Sequence, residues 1–258
     1  MKKKLIVIPA HNEEQSIYEV VTRSLKYGDV SVTDDGSRDK TPHILKKIRQ
    51  ECEKGKHKNS LQVITHKIAT HIPGGIQDGL RWGIKNKYDF IITMDAGLSH
   101  NPDELPNFIS YNSFVDVVIG SRPCKNVRHV PLYRKIISKA AAFIVNYALT
   151  SSYFNLRGPG IKDCTSGYRR YSRRAAELVA QTELKSKSFD FHMEALALCV
   201  RSGMKVAEIP ISYIFSNSSF NIKVFIQAIK FGSHLLSTKR NQSKKSCVAT
   251  LSSASPDR

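Results

Sequence analysis

The chain is 258 residues long, enough for one large domain or two small ones and too short for an elaborate multidomain machine. Apolar residues make up 41% and charged residues 24%, the balance of an ordinary folded protein, which excludes disorder throughout. Forty Lys and Arg against 22 Asp and Glu leave +18, a surplus that points to an anionic partner such as phosphate, nucleic acid or a membrane face without choosing among them.

The first apolar run, Leu5 to Ile8, is short and β-branched and is stopped by Pro9, which predicts a buried parallel strand rather than a signal peptide. Helix follows from Ser16. A second strand, Val30 to Thr33, stops at Asp34-Asp35-Gly36-Ser37, a turn sequence able to cap the helix that runs on through Ile44, Leu45 and Ile48. Leu61 to Ile64 is the third strand. A Pro-Gly-Gly turn at Pro73 to Gly75 introduces a helix to about Lys87. Strands at Phe90 to Met94 and Val115 to Ile119 then end at Asp95-Ala96-Gly97 and Gly120-Ser121-Arg122. Strands and helices alternating in this way predict an α/β fold, a mainly parallel sheet with helices on both faces. Ligands of such sheets sit beyond the carboxyl ends of the strands. That singles out Pro9 to Glu14, Asp34 to Ser37, Asp95 to His100 and Gly120 to Arg122.

The first strand is followed by no GxGxxG, which disfavours a dinucleotide cofactor, and no GxxxxGK[ST] occurs, which removes the P-loop nucleotidases. Five scattered cysteines never form CxxC, so neither a zinc cluster nor a disulfide framework is indicated and a reducing, cytoplasmic setting fits best. No run reaches the roughly 18 apolar residues that span a bilayer. The basic surplus is concentrated: no acid lies between Asp116 and Asp163 or between Glu208 and Asp257.

Read together, Ile8-Pro9-Ala10-His11-Asn12-Glu13-Glu14, Val32 to Thr41 around Asp34-Asp35-Gly36-Ser37, and Met94-Asp95-Ala96-Gly97-Leu98-Ser99-His100 resemble family 2 glycosyltransferases of the GT-A fold, a Rossmann-like architecture. Gly120-Ser121-Arg122, Arg134 to Ser138, Asp163-Cys164-Thr165-Ser166-Gly167-Tyr168-Arg169 and Phe191-His192-Met193-Glu194 continue the likeness in order over about residues 4–215. Within the family the chain is most similar to the dolichol-phosphate mannose synthase and polyprenyl-phosphate glycosyltransferase group.

The resemblance implies that Pro9, His11, Glu13, Thr33, Asp35, Asp95, Ala96 and Arg122 line a nucleotide-sugar pocket, with GDP-mannose or a UDP-hexose as donor. Chemically, Asp35 can accept from base N–H groups and Glu13 from ribose hydroxyls; the plainer reading of Asp34 and Asp35 is a helix cap. Arg122 would face the diphosphate, while Arg134 and Ser138, four apart on one helix face, would hold the phosphate of a polyprenyl (dolichyl) acceptor; the plainer reading makes them solvated helix residues. Asp95, Arg122, Arg134 and Ser138 form the catalytic set under this reading. Asp163, Thr165, Ser166, Arg169 and Glu194 would shape the sugar and acceptor site. Alternatively Gly167 marks only a tight turn, and Glu194 pairs with a buried Arg. A hexose, mannose favoured, would pass to the acceptor phosphate with inversion.

Two departures from the family pattern stand out. The usual Asp-x-Asp that holds Mg²⁺ or Mn²⁺ reads Asp95-Ala96-Gly97, which leaves Asp95 as sole carboxylate ligand. Either a metal still binds through Asp95, or basic side chains take over the diphosphate, or activity is lost. After Pro210 the basic lid residues are missing unless Lys223 substitutes. The domain reading is a GT-A unit over 1–215, an amphipathic helix over 216–238 and a disordered basic tail over 239–258. That helix and Ile136 to Leu149 have the spacing and lysines of helices lying on an anionic membrane surface, and equally of helices packed on a sheet. The expected location is therefore cytoplasmic and peripheral to a membrane. A family 2 transferase with another acceptor and a silent sugar-nucleotide-binding scaffold are the competing readings; no nucleic-acid motif is present.

Overall fold

The computed structural model describes residues 2–122, 159–186, 188 and 190–213, with positions 139, 140, 142, 143, 145–147 and 149. β1 spans Lys4–Ala10, β2 Asp29–Asp34, β3 Leu61–Thr65, β4 Phe90–Thr93, β5 Val117–Ser121, β6 Arg169–Ser172 and β7 Val206–Pro210. They form one sheet in the order β3-β2-β1-β4-β6-β5-β7. All neighbours are parallel except β6, which runs antiparallel to both β4 and β5.

Successive strand side chains point to opposite faces, and both faces are covered. Leu5 and Val7 of β1 join one core, with helices α3 (His71–Lys85), α5 (Arg173–Gln181) and α6 (Asp190–Arg201). Ile6 and Ile8 join the other, with α1 (Ile17–Ser24), α2 (Thr41–Glu53) and α4 (Leu105–Ser110). All four β1 side chains are fully buried, which is why the run reads as continuously apolar instead of alternating.

Pro73 to Gly75 is not a turn: it lies inside α3. Pro73 falls in the first helical turn, where a missing N–H leaves no carbonyl unpaired. The glycines give close approach. A Cβ on Gly74 would run into Thr70 Oγ1, one on Gly75 would stand 3.1 Å from Pro9 Cβ, and one on Gly79 would strike Val7. Gly83, a further turn along, meets Ile91 and Leu5 in the same way. This glycine edge seats α3 directly on β1.

β6 was not legible as a strand because two of its four residues are arginines. Arg169 and Arg170 are nonetheless wholly buried. Arg170 donates to the carbonyls of Phe108, Tyr111, Asn112 and Val115, and Arg169 to those of Cys164, Ser166 and His192. Of the segment at 139–149, Ala142 and Val145 enter the α3 core while Phe143 stays exposed. The expected helix over 216–238, the tail over 239–258, Lys223, Arg134 and Ser138 lie outside the described residues. No helix among the described residues is long and apolar enough to cross a membrane.

Candidate active site

The sheet brings the strand tips together along its carboxyl edge. Pro9 and Ala10 of β1 lie opposite Thr33 and Asp34 of β2, and β4 lies on the other side of β1. Antiparallel β6 starts at the same edge, with Thr93 opposite Arg169. The Thr93 hydroxyl donates to the carbonyl of Gly167, and the Gly120 N–H donates to that of Tyr168. Asp95, the 163–168 segment and Arg122 therefore converge.

At the β1–β2 end, Asp34 accepts from the Ser37 N–H and closes the turn. Asp35 is buried, and its carboxylate is densely bonded. Oδ1 accepts from the Thr70 N–H at 2.7 Å, the Thr70 hydroxyl at 2.9 Å and His66 Nδ1 at 2.8 Å, and Oδ2 accepts from the His71 N–H at 2.7 Å. The other nitrogen of His66 meets Asp78 Oδ2 at 2.9 Å. An imidazole that donates from both nitrogens is an imidazolium. Burial alone would lower its pKa, but the two carboxylates raise it above the ordinary value. Asp35 is held below the ordinary carboxylate value, because the bonds from Thr70, His66 and His71 outweigh its burial. Nearby, His11 Nδ1 donates to the Asp35 carbonyl at 2.8 Å, which leaves Nε2 to accept from the Asn12 amide. Glu13 Oε2 accepts from the Ser16 hydroxyl.

At the β4–β5 end the arrangement is sparser. The Asp95 side chain is 42% exposed. Its N–H donates to His100 Nδ1, so the buried His100 ring is neutral there, and burial lowers its pKa. His100 stacks on Tyr168 with centroids 5.0 Å apart. Gly167 admits Asp95 and His192 together, since a Cβ on it would lie 3.2 Å from Asp95 Oδ1 and 2.9 Å from His192 Nε2. His192 is buried, and Nδ1 finds no hydrogen-bond partner among the described residues. Burial, with Arg169, His100 and Arg122 nearby, pushes its pKa well below the ordinary value.

Arg122 grips Asp163 with a two-pronged bond, Nε to Oδ2 and Nη2 to Oδ1, both at 2.7 Å, and Nη2 also donates to Thr165 Oγ1 at 2.6 Å. Asp163 has no exposed surface; burial would raise its pKa, but the guanidinium outweighs it and pushes it down to about 2. The N–H groups of Thr165 and Ser166 donate to the same carboxylate, and Glu208 of β7 accepts from the N–H groups of Lys162 and Asp163.

Several expected site residues are placed elsewhere in role. Thr33 is fully buried and donates to the Gly75 carbonyl, tying β2 to α3 instead of lining a pocket. Arg169 points into the core, where three carbonyls take its protons. Glu194 accepts from the N–H groups of Lys185 and Ser186 and pairs with no Arg among the described residues. Ser166 is buried and receives the Tyr168 N–H. Pro9, His11, Glu13, Asp35, Asp95, Ala96, Arg122, Asp163 and Thr165 all belong to the converging tips or the segment beside them. Sequence reasoning missed His66, Thr70 and Asp78, and gave no role to His100 and His192 although both lie in stretches it quoted. His66 was within reach, since it is the residue just after β3 and the strand-end rule applied to the other tips covers it; His192 gave no signal beyond its place beside Glu194.

Among the described residues no three His, Cys, Asp or Glu side chains cluster as a metal site. The donors at hand are the exposed carboxylate of Asp95 and open space at Gly97, where a Cβ would have no neighbour within 4 Å. That set fits a divalent ion drawing most of its ligands from a diphosphate and water.

The family model for glycosyl transferase family 2 matches residues 5–179. The chain belongs to that family. This glycosyltransferase is 29% identical to an undecaprenyl-phosphate mannosyltransferase of Micrococcus luteus, over 81% of its own length and 83% of the relative's. It is also 29% identical to a UDP-N-acetylglucosamine–dolichyl-phosphate N-acetylglucosaminyltransferase of Methanococcus voltae, over 85% and 89%. Its fold matches that of glucosyl-3-phosphoglycerate synthase from Mycobacterium tuberculosis, solved with Mn²⁺, UDP and phosphoglyceric acid, with a TM-score of 0.64, 16% identity and coverage of 92% and 78%. The GT-A architecture expected from the sequence is thus the architecture found.

Proposed function

We propose that this family 2 enzyme transfers a hexose from a nucleotide sugar to a polyprenyl phosphate, with inversion at the anomeric carbon. The observation that carries the reading is the exposed Asp95 carboxylate after β4, beside Arg122 and Gly167, in a chain whose named relatives act on lipid phosphates. Those relatives transfer mannose in one case and N-acetylglucosamine in the other, so both hexoses stand as candidates.

A phosphate monoester is anionic near neutral pH and attacks without a general base. The protein's part is then positioning and charge. Asp35, His11, Glu13, Pro9 and Ala96 hold the nucleoside. Asp95 would be the protein ligand of Mg²⁺ or Mn²⁺, which, when bound, offsets charge on the departing diphosphate. Arg122, oriented by Asp163 and Thr165, fixes positive charge at the β5 tip. Arg134 and Ser138 are assigned to the acceptor phosphate, and the acceptor reaches them from a membrane surface on which the protein sits peripherally.

Incubation of labelled GDP-mannose, UDP-glucose or UDP-N-acetylglucosamine with dolichyl phosphate and Mn²⁺, followed by solvent extraction, tests this. Label is expected in the organic phase. Transfer only to a water-soluble acceptor, or tight nucleotide binding with no transfer under any divalent ion, would overturn it.

A further inference from the structure

The carboxylate that the proposed function assigns to the donor base has an uneven distribution of free valences. A carboxylate offers about four lone-pair positions, two per oxygen. The two positions on Asp35 Oδ1 are shared by three donors, the Thr70 N–H, the Thr70 hydroxyl and His66 Nδ1, the last two standing 3.0 Å from each other, whereas Oδ2 accepts one hydrogen bond, from the His71 N–H. One position on Oδ2 remains.

The bonds that crowd Oδ1 are themselves braced. His66 is pulled from its far side by Asp78, which also holds Arg81 through Oδ1 at 2.6 Å. The His66 N–H donates to the Asp34 carbonyl, so the ring is anchored to the end of β2. Thr70 Oγ1 occupies the place where a Cβ on Gly74 would stand, so the glycine in α3 is what lets Thr70 reach Asp35. His66 and Thr70 therefore form a clamp on one oxygen of the carboxylate.

We propose that this clamp selects the donor base, leaving Asp35 able to accept a single base N–H and so favouring uridine diphosphate sugars over guanosine diphosphate sugars. Guanine presents two adjacent donors, N1–H and the N2 amine, which match a carboxylate with one free position on each oxygen. Uracil presents one donor, N3–H, between two carbonyl acceptors. On the clamped carboxylate guanine leaves one donor buried without a partner, and uracil leaves none. The inference rests on the reading of Asp35 as the base acceptor.

Calorimetric titration of the full chain with UDP and with GDP in the presence of Mn²⁺ tests it. UDP is expected to bind about tenfold or more tightly, the usual cost of an unpaired buried donor. The double variant His66→Ala with Thr70→Ala leaves one backbone N–H on each oxygen, and is expected to bring GDP to within about threefold of UDP; its melting temperature checks that it folds, and the wild-type comparison decides by itself if it does not. GDP binding as tightly as UDP or tighter, while Asp35→Asn weakens it, would overturn the clamp and leave Asp35 as base acceptor. Asp35→Asn changing neither affinity would overturn the base-acceptor reading, and the clamp with it.

Discussion

Asp35 and Asp95 each follow a parallel strand of one sheet, separated only by β1, and the fold surrounds them in opposite ways. Asp35 is buried under four hydrogen bonds and a histidinium. Asp95 is partly open, its side chain 42% exposed, with its own N–H donating to His100 and one carboxylate oxygen 3.4 Å from the same ring. A carboxylate whose partners are built in can discriminate ligands by what is left over and organises the loop around it. One left nearly bare keeps its lone pairs for the reacting group or its counterion. Under the proposed function, identical side chains at equivalent strand ends would divide recognition from charge stabilisation.

Substitution at the two positions should separate activity from stability. Asp95→Asn is expected to lower sugar transfer by about 10²- to 10³-fold, with an unfolding midpoint that barely moves, because the side chain is 42% exposed and its neighbour at 3.4 Å, His100, is neutral and makes no charged pair with it. Equal losses of stability and activity would erase the contrast. Asp35→Ala should move stability as well as nucleotide binding, costing about 2–4 kcal/mol in chemical denaturation by stranding two backbone N–H groups and the His66 charge; an unfolding curve that superimposes on the wild type would show that the bonds carry no weight.

The pH dependence of stability sharpens the Asp35 side. His66 has a raised pKa in the folded state, so its contribution is fully present below about 6.5 and is lost as the pH climbs through the folded value. Asp35 has a lowered one, so its contribution is present above about 3.8 and is lost as the pH falls through the folded value. The pair therefore stabilises most between these limits. The wild type is expected to show falling urea midpoints from pH 6 to 9 and His66→Ala to flatten that decline; an unchanged slope would remove His66 from the account.

The smallest effect belongs to the Asp95 side. Gly97→Asp places a second carboxylate in open space, and a few-fold tighter Mn²⁺ affinity by calorimetry is expected. No change would indicate that the new carboxylate cannot share an ion with Asp95.

Much of this was legible in the chain itself. The short β-branched runs at Leu5, Val30, Phe90 and Val115, ended by Pro9, Asp34, Asp95 and Gly120, announce a parallel sheet and place Asp35, Asp95 and Arg122 at strand tips, because period and punctuation are local properties. β6 was hidden because its arginines are satisfied in part by carbonyls 23 to 62 positions away, that of His192 and those of the 108–115 stretch, a long-range compensation no local pattern contains. Likewise Pro73-Gly74-Gly75 is turn-like until Thr70 and Pro9 are packed against it.

The order of strands, the family motifs and the absence of the second acidic residue at Gly97 were set by the linear sequence, since each depends on neighbours along the chain. Tertiary structure alone decided which of those residues are engaged internally: it turned Thr33, Arg169 and Glu194 to internal bonds, drew His66 onto Asp35 and His192 onto Gly167, and locked Arg122 to Asp163. The reason is that a side chain's chemistry depends on the partners that occupy its lone pairs and protons, and those partners arrive only when distant segments fold together.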